Sequence, residues 1–551
     1  MRLTAADIDA PPIPGPLRET YRRSGYLTDQ TMSSMLERAA HQWPTRPALA
    51  EGDQQFSYAE LDALARRAAG WLAAAGIGPG DVICWQTPNW WEAHLVGLAV
   101  WQLGAVSNPI VPFYREHELR QILEQVHPAA VVTADTYRGF AHAEAFDDLL
   151  AEAGLRDVVK IIIRGDRPGW TRFDELVSHS YKTRPAATSA VDPCLILFTS
   201  GTTSTPKGAV HSSQSLLAET RQLADAWGLG WADAAYMAAP LQHITGVLNA
   251  MSIPLMTGAC AILAERWDAD QAVRDIVERH ATYTAGATVF LQELTAAARQ
   301  ADVRLPLRNF ACGGAPVPMS VMEASEAQGI PASRVYGMTE LPTVTVMNAA
   351  DDFDHRAWTD GRIAAGVEVR AVADGRDVPV GEDGELVVRG PERMLGYLRA
   401  ADNASAIDED GWFRTGDVGA IDHDGHLRIT GRLKDVINRG GEKFSAREIE
   451  DLLVAHPGVG SAAVVPNPDA RLGEVPVAYV VLEDRSVSDS DLVAYVATAG
   501  LAKQKTPVAW HFLDALPMTP SGKVKKFELS PPRSTDLTAR HEESKESDSE
   551  H

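Results

Sequence analysis

The chain has 551 residues, of which 45% are hydrophobic, and it carries a formal net charge of -23. That length exceeds a single ordinary core, so two or more domains are expected, and the hydrophobic content is that of a globular protein. The strong negative charge argues against a nucleic-acid partner, because neutralising phosphates needs clustered Lys and Arg.

The N-terminal residues, one apolar stretch and the cysteines indicate the cellular compartment in which the protein is expected. Residues 1–27 include Asp7 and Asp9 and lack an apolar core, so they do not form a signal peptide. The uncharged stretch Ile244 to Leu263 is interrupted by Pro254 and is expected inside a soluble domain rather than a membrane. We therefore expect a cytoplasmic protein with no integral membrane segment. Its widely spaced cysteines are expected to be reduced core residues: Cys84, Cys194, Cys260 and Cys312.

Helical and strand patterns alternate in the first third of the chain. Ser57-Tyr58-Ala59-Glu60 is a capping box that predicts an amphipathic helix ending at Gly76. Asp81 to Trp85 is typical of a buried strand, and Trp91 to Val106 of a mostly apolar helix. Alternation of this kind predicts an α/β fold with parallel sheets flanked by helices.

A loop rich in hydroxyls and glycine follows the predicted buried strand Cys194 to Phe198. Free backbone N–H groups, short hydroxyls and a lysine could wrap a polyphosphate there. The loop is not a Walker A sequence, because Pro206 precedes the lysine and Gly208 follows it. On its own such a loop is equally compatible with a surface turn. The candidate phosphate ligands are Thr199, Ser200, Gly201, Thr202, Thr203 and Lys207.

Further strands and a helix are predicted downstream: a helix over Asp270 to His280, and strands over Tyr283 to Val289 and Asn309 to Cys312. Paired glycines after the last strand would let a flat nucleobase lie on bare backbone, although a tight turn is the simpler explanation for this motif alone. The candidate base shelf consists of Gly314, Ala315 and Pro316.

Four more motifs carry polar groups suited to a nucleotide. Tyr336-Gly337-Met338-Thr339-Glu340 combines an aromatic wall with a carboxylate that could hold Mg²⁺ beside phosphate. Asp417 ends a Trp-Phe-Arg-Thr-Gly-Asp run and could accept both ribose hydroxyls. Arg432 and Lys434 lie in a polar joint, and Lys523 follows a glycine turn near the C-terminus.

A change in the sequence pattern indicates the domain organisation. Short β-like runs between Gly384 and Arg428 indicate a small β-rich subdomain. A helix over Ser445 to Val454 and a strand over Ser461 to Pro466 then indicate a compact C-terminal domain. We predict a large N-terminal domain at residues 1–431, a small α+β domain at 432–530 and a disordered acidic tail at 531–551.

In this order, the motifs resemble the superfamily of acyl-CoA synthetases, stand-alone adenylation enzymes and beetle luciferases, over roughly residues 30 to 530. The resemblance implies that residues 1–431 form the adenylation domain, that the domain at 432–530 is mobile, and that ATP, Mg²⁺ and coenzyme A are the cofactors. It implies that Thr339 touches the α-phosphate, that Glu340 binds magnesium, and that Asp417 and Arg432 hold ribose. Lys434 would then be the hinge and Lys523 the catalytic lysine. Tyr336, Gly337 and Met338 would line the nucleotide, and Gly440 with Gly441 would line a tunnel for the pantetheine arm.

Two positions depart from the family pattern. Ser204 stands where the family loop usually has glycine, which predicts a stiffer loop that closes more slowly over the β- and γ-phosphates. Gln242 stands where many members carry an aromatic residue before His243, which predicts a different gate between the acid pocket and the thiol tunnel.

The segment Pro240 to Met256 contains no Asp or Glu, so a pocket built from it suits a hydrophobic carboxylate: fatty, alicyclic or polycyclic. The leading hypothesis is an acid:CoA ligase with His243 at the pocket mouth. A second is an adenylation enzyme that loads a carrier protein, and a third is a non-catalytic nucleotide-binding scaffold. The acceptor and the oligomeric state stay open at this stage, with a homodimer as one candidate.

Overall fold

The computed structural model describes residues 2–180, 186–199, 205–314, 317–348, 350–440, 442–469, 471–499, 501–518 and 524–529. The chain divides into two compact units. The first contains Met1–Val369, Val387–Thr415 and Asp424–Leu427, and the second contains Arg370–Leu386, Gly416–His423 and the chain from Arg428 onward. The predicted acidic tail at 531–551 lies outside the described residues.

An eight-stranded sheet forms one half of the first unit. Six of its strands, from Pro193–Thr199 to the edge strand Thr171–Arg172, are parallel. The other two are antiparallel to their neighbours: Lys207–Ser212 pairs with Pro193–Thr199, and Gly396–Tyr397 pairs with Lys207–Ser212. The predicted strand after Gly80 is present, as Val82–Gln86. In spatial order the strands are Gly396–Tyr397, Lys207–Ser212, Pro193–Thr199, Val106–Pro109, Val82–Gln86, Ala130–Ala134, Val159–Ile163 and Thr171–Arg172.

A seven-stranded sheet forms the other half. Its strands are parallel except for the hairpin of Pro47–Glu51 with Gln54–Ser57. In spatial order they are Ala332–Arg334, Asn309–Cys312, Tyr283–Gly286, Ala234–Met237, Cys260–Leu263, Pro47–Glu51 and Gln54–Ser57. The expected α/β class with mostly parallel sheets is confirmed.

Helices cover the sheets and share the largest core with them. Trp85 of the eight-stranded sheet, Met237 of the seven-stranded sheet and Leu61 and Leu95 of two helices belong to this one buried cluster. The helices of the first unit are Gly15–Arg23, Met32–Gln42, Tyr58–Ala74, Trp91–Leu103, Glu116–Val126, His142–Glu152, Phe173–Ser178, Ser213–Trp227, Ile244–Gly246, Ile253–Thr257, Ala269–Glu278, Thr288–Gln300, Met319–Ala327, Phe353–Trp358 and Ala400–Ala404. Of the residues described, none belongs to a helix both long and apolar enough to cross a bilayer.

The capping box at Ser57 is confirmed, because the Ser57 hydroxyl accepts from the backbone N–H of Glu60 while the Glu60 carboxylate accepts from the N–H of Ser57. Two predicted elements end three residues earlier than expected. The helix from Trp91 ends at Leu103, because Gly104 takes the left-handed conformation (φ 73°), and Val106 begins a strand. The strand from Tyr283 ends at Gly286, and Thr288 already begins a helix.

The second unit carries its own five-stranded sheet, ordered Glu442–Ser445, Val436–Arg439, Gly473–Leu482 and Val459–Asp469, with Ala509–Phe512 added parallel to Gly473–Leu482. Its helices are Ala446–Val454, Asp489–Thr498 and Lys526–Leu529. The remaining strands form a two-stranded ribbon, Thr345–Val346 with Arg362–Ile363, and a five-stranded β-rich sheet ordered Arg376–Asp377, Glu368–Ala373, Gly384–Arg389, Phe413–Ile421 and Leu427–Arg432.

Candidate active site

The predicted phosphate loop closes a β-hairpin. Thr199 and Lys207 are paired residues at the ends of the antiparallel strands Pro193–Thr199 and Lys207–Ser212. The Thr199 hydroxyl donates to the carbonyl oxygen of Lys207 at 3.5 Å. Ser200, Gly201, Thr202 and Thr203, together with Ser204, lie outside the described residues.

The Tyr-Gly-Met-Thr-Glu motif lies in a loop at residues 336–343, which follows the strand Ala332–Arg334 at its carboxyl end. Its base is closed because the Tyr336 N–H donates to the Thr345 hydroxyl at 2.8 Å and the Thr345 N–H to the Tyr336 carbonyl at 3.0 Å. Gly337 packs so tightly that a Cβ atom there would lie 1.9 Å from the Pro342 carbonyl oxygen. Only glycine fits this turn. Ligands of open α/β sheets typically bind at such carboxyl ends.

Thr339 is fastened to the other sheet through its backbone. His211, buried in the strand Lys207–Ser212, places its Nε2 atom 2.7 Å from the Thr339 carbonyl oxygen. A carbonyl only accepts, so this nitrogen carries the proton. Burial lowers the pKa of His211 to about 4, so the ring is neutral at physiological pH. The contact fixes the position of the motif without adding charge to the site.

Glu340 is held in the same way. Its carbonyl oxygen accepts from the Met394 N–H at 2.9 Å, and its Oε1 atom accepts from the Tyr397 hydroxyl at 2.6 Å. The carboxylate is buried, in a residue only 9% exposed, and makes no ion pair within the described part of the chain.

A magnesium ion fits this environment. Mg²⁺ is usually held by one or two carboxylates together with substrate phosphates rather than by a protein cage. Glu340 supplies one such carboxylate, and no group of three His, Cys, Asp or Glu in the described ranges could hold a metal by itself. Glu340 would therefore hold Mg²⁺ jointly with a polyphosphate.

Lys207 makes contact with an acid of its own unit. Its Nζ atom lies 3.4 Å from Asp402 Oδ1 and 5.1 Å from the centre of the Tyr397 ring. Both side chains of the ion pair are largely buried, at 22% and 14% exposure. The lysine thus approaches the same tyrosine that binds Glu340.

The predicted base shelf begins at the next strand of the seven-stranded sheet. Gly313 and Gly314 follow the strand Asn309–Cys312. Because Cys312 pairs with Arg334 of the neighbouring parallel strand, the shelf and the Tyr336 loop begin at adjacent strand ends. Gly314 has φ 84° and open space where a side chain would stand. Ala315 and Pro316 lie outside the described residues.

The predicted acid-pocket segment forms a buried helical run. His243 is exposed and caps the short helix Ile244–Gly246, its Nδ1 atom accepting from the Thr245 N–H at 3.4 Å. Gln242 is buried, and its amide donates to the Thr87 carbonyl at 2.8 Å. The run continues as a π-helix over Val247–Ser252. Single π-turns are frequent at functional sites.

Asp417 and Arg432 lie together in the second unit. Arg432 Nε is 2.8 Å from Asp417 Oδ1, with the aspartate nearly buried and the arginine half-exposed. The two residues predicted to hold ribose are thus neighbours, and the carboxylate is oriented by a charge-assisted hydrogen bond.

The remaining predicted residues are also in the second unit. Lys434 lies in a single 3-10 turn, Leu433–Asp435, where burial lowers the pKa of its ammonium group. Gly440 directly follows a strand and has a φ of 65°. Its N–H donates to the Leu472 carbonyl at 2.7 Å. Gly441 and Lys523 lie outside the described residues.

Sequence reasoning missed three groups at this site: His211, Tyr397 and Asp402. Tyr397 lies in a Gly-Tyr pair and Asp402 in an ordinary acidic helix, so neither position offered a distinctive pattern. His211 could have been suspected only as the polar residue that directly follows the run Gly208 to Val210. Their contacts depend on strand pairing that is distant in sequence.

Two family models match the chain. The model of AMP-binding enzymes matches residues 36–398, and that of the AMP-binding enzyme C-terminal domain matches residues 448–523. The chain belongs to the family of AMP-binding enzymes. It is an AMP-forming acyl-CoA synthetase of the adenylate-forming superfamily, as the sequence motifs predicted.

Three relatives illustrate the similarity. The medium-chain fatty-acid–CoA ligase of Escherichia coli (strain K12) is 34% identical over 523 residues, which cover 93% of this chain and 92% of the relative. A methyl-dioxo-octahydroindenyl propanoyl:CoA ligase of Mycobacterium tuberculosis is 34% identical over 509 residues, covering 91% and 98%. The solved o-succinylbenzoate CoA synthetase of Bacillus subtilis with its acyl-adenylate intermediate has a TM-score of 0.80 and 27% identity, covering 92% and 99%.

We expect Gly337→Ala to lower the rate of adenylate formation by about a hundredfold, because displacing Thr339 and Glu340 by an ångström misaligns the reacting groups. Gly230→Ala is the matched control, since a Cβ there meets nothing within 4 Å. Pyrophosphate release measures the effect, and circular dichroism checks the fold. Activity of Gly337→Ala within twofold of the control would show that the loop tolerates the shift.

Proposed function

We propose that this enzyme activates a hydrophobic carboxylate, fatty, alicyclic or polycyclic, as an acyl-adenylate and transfers the acyl group to coenzyme A, releasing AMP and pyrophosphate. The observation that carries the choice of acid is the segment 240–256. It has no Asp or Glu, and His243 is its only exposed residue. A pocket lined by this segment would therefore suit an apolar acid.

The names of the relatives support the same class of substrate. One acts on medium-chain fatty acids and another on a bicyclic propanoate, both at 34% identity. Amino-acid-adenylating relatives usually supply an acid for the substrate ammonium group, and this segment offers none. His243 would stand at the mouth of the pocket.

Attack of a carboxylate on the α-phosphate brings two anions together, so the site must supply positive charge. Lys207 would face the β- and γ-phosphates and Thr339 the α-phosphate, while Lys523 would approach from the second unit. Tyr336, Gly337, Met338 and the shelf at Gly314 would bind the base, with Asp417 and Arg432 at the ribose. Mg²⁺ held at Glu340 would neutralise charge on the phosphates.

The second step needs a different set of residues. A mixed anhydride must be protected from water, which favours a closed site. We infer that the second unit turns about Lys434 after adenylation, removes Lys523 and presents Gly440 and Gly441. Narrow glycine walls suit the thin pantetheine arm.

Coenzyme A is the acceptor expected of an acyl-CoA synthetase, and two relatives at 34% identity are named as CoA ligases. The acceptor is tested with free CoA against a phosphopantetheinylated carrier protein. Faster acylation of the carrier at equal concentration would overturn this choice and leave the adenylation step intact.

The choice of acid is tested by pyrophosphate release with octanoate, decanoate, cyclohexanecarboxylate, cholate, acetate and phenylalanine. Each buried methylene contributes about 0.8 kcal/mol, so the larger apolar acids should exceed acetate in kcat/KM by well over tenfold. A preference for acetate or phenylalanine would refute the apolar pocket.

Lys523→Ala is expected to abolish adenylate formation and to spare thioester formation from a supplied acyl-adenylate, because its ammonium group is needed only while phosphate charge develops. Pyrophosphate release and thioester formation are measured separately. Lys525→Ala, two residues away, is the matched control. Equal loss of both half-reactions would contradict the proposal that Lys523 acts only in adenylate formation.

Lys434→Pro is expected to slow thioester formation more than adenylation, because proline fixes φ at the proposed hinge. Lys434→Ala removes the ammonium group and leaves the backbone free, so it separates stiffness from charge. The two half-reactions are assayed side by side. A proline variant that slows both steps equally would exclude the hinge role.

A further inference from the structure

Tyr397 is held firmly in the first unit. It is 5% exposed and lies in the edge strand Gly396–Tyr397, paired with Ala209. Asn403, itself 1% exposed, grips its backbone from both sides: the Tyr397 N–H donates to Asn403 Oδ1 at 2.7 Å, and Asn403 Nδ2 donates to the Tyr397 carbonyl at 3.0 Å. A side chain on so constrained a backbone has little freedom to move.

The hydroxyl of Tyr397 is directed at the candidate metal ligand. It lies 2.6 Å from Glu340 Oε1, a short separation typical of a hydrogen bond to a carboxylate. Burial raises the pKa of the Tyr397 phenol, and the charge of Glu340 raises it further. The phenol donates this hydrogen bond, so one oxygen of the Glu340 side chain has a fixed orientation.

The ring of Tyr397 meets the candidate phosphate ligand. The Lys207 ammonium lies 5.1 Å from the ring centre, within the range of a cation–π contact. Asp402, which also accepts from Arg399 Nε at 2.8 Å, lies 3.4 Å from the same ammonium. Lys207 therefore has an anionic partner that a phosphate oxygen could replace.

We infer that Tyr397 is a positioning residue of the nucleotide site: one buried side chain orients the metal-binding carboxylate Glu340 with its hydroxyl and the phosphate-binding ammonium of Lys207 with its ring. Asp402 holds Lys207 in place until phosphate exchanges with it. The inference rests on the proposed function, because it assigns metal and phosphate to these two residues.

Tyr397→Phe tests the hydroxyl alone. In the presence of α,β-methylene-ATP, which cannot transfer its AMP group to an acid, we expect the enzyme's affinity for Mn²⁺ to fall about tenfold, the size of a lost hydrogen bond to a charged group. Electron paramagnetic resonance of free Mn²⁺ measures this. Affinity for the analogue without metal should change by less than about threefold, because the ring stays over Lys207.

Tyr236→Phe is the matched control, since the Tyr236 hydroxyl is buried and has no hydrogen-bond partner in the described structure. Asp402→Asn probes the other contact: metal-free analogue should bind more tightly because Lys207 loses a competing anion, while Mn²⁺ affinity stays within twofold of wild type.

Mn²⁺ affinity of Tyr397→Phe within twofold of the Tyr236→Phe control would overturn the role of the hydroxyl. Weaker analogue binding by Asp402→Asn would overturn the exchange of Asp402 for phosphate. If the wild type releases pyrophosphate with an acid and Tyr397→Phe retains its Mn²⁺ affinity, only the inference fails. A wild type that binds no analogue would refute the proposed function together with it.

Discussion

The proposed nucleotide site depends on one loop that is hydrogen-bonded between two sheets. The loop at 336–343 leaves a strand of the seven-stranded sheet, and its Thr339 carbonyl and Glu340 carboxylate are bound by His211 and Tyr397 of the eight-stranded sheet. Each contact is a hydrogen bond in a buried setting, where leaving a polar group without a partner destabilises the folded protein. The two sheets therefore determine together where the motif stands.

The two candidate ligands in this region differ in their partners. Lys207 forms an ion pair with Asp402, whereas the Glu340 side chain accepts a hydrogen bond from the Tyr397 hydroxyl and has no ion pair among the described residues. A buried carboxylate without a cation partner is electrostatically suited to a metal that comes with phosphate. Neutral His211 anchors the backbone nearby without changing this balance.

The segment proposed to bind the acid is built differently, from close backbone contacts and burial of apolar side chains. Gly246 allows the run after His243 to turn against Pro240, since a Cβ there would lie 2.3 Å from the Pro240 carbonyl. The π-helix that follows shifts the side chains of Val247–Ser252 relative to an α-helix. The Gln242 side-chain amide donates to the Thr87 carbonyl, so this amide is held in the protein interior.

The sequence alone determined the α/β class, the family and most of the candidate motifs, because capping boxes, glycine turns and apolar strands are local patterns. It also predicted the strand at Asn309–Cys312 to the residue. It misplaced the helix end at Leu103, because the left-handed turn at Gly104 has no unique signal within an apolar run. It could not find Tyr397, Asp402 or His211 as site residues. Tyr397 is brought to the site by strand pairing with Ala209, nearly two hundred residues earlier, and His211 by a hydrogen bond to Thr339, 128 residues later. Only the tertiary structure decides which side chains meet there.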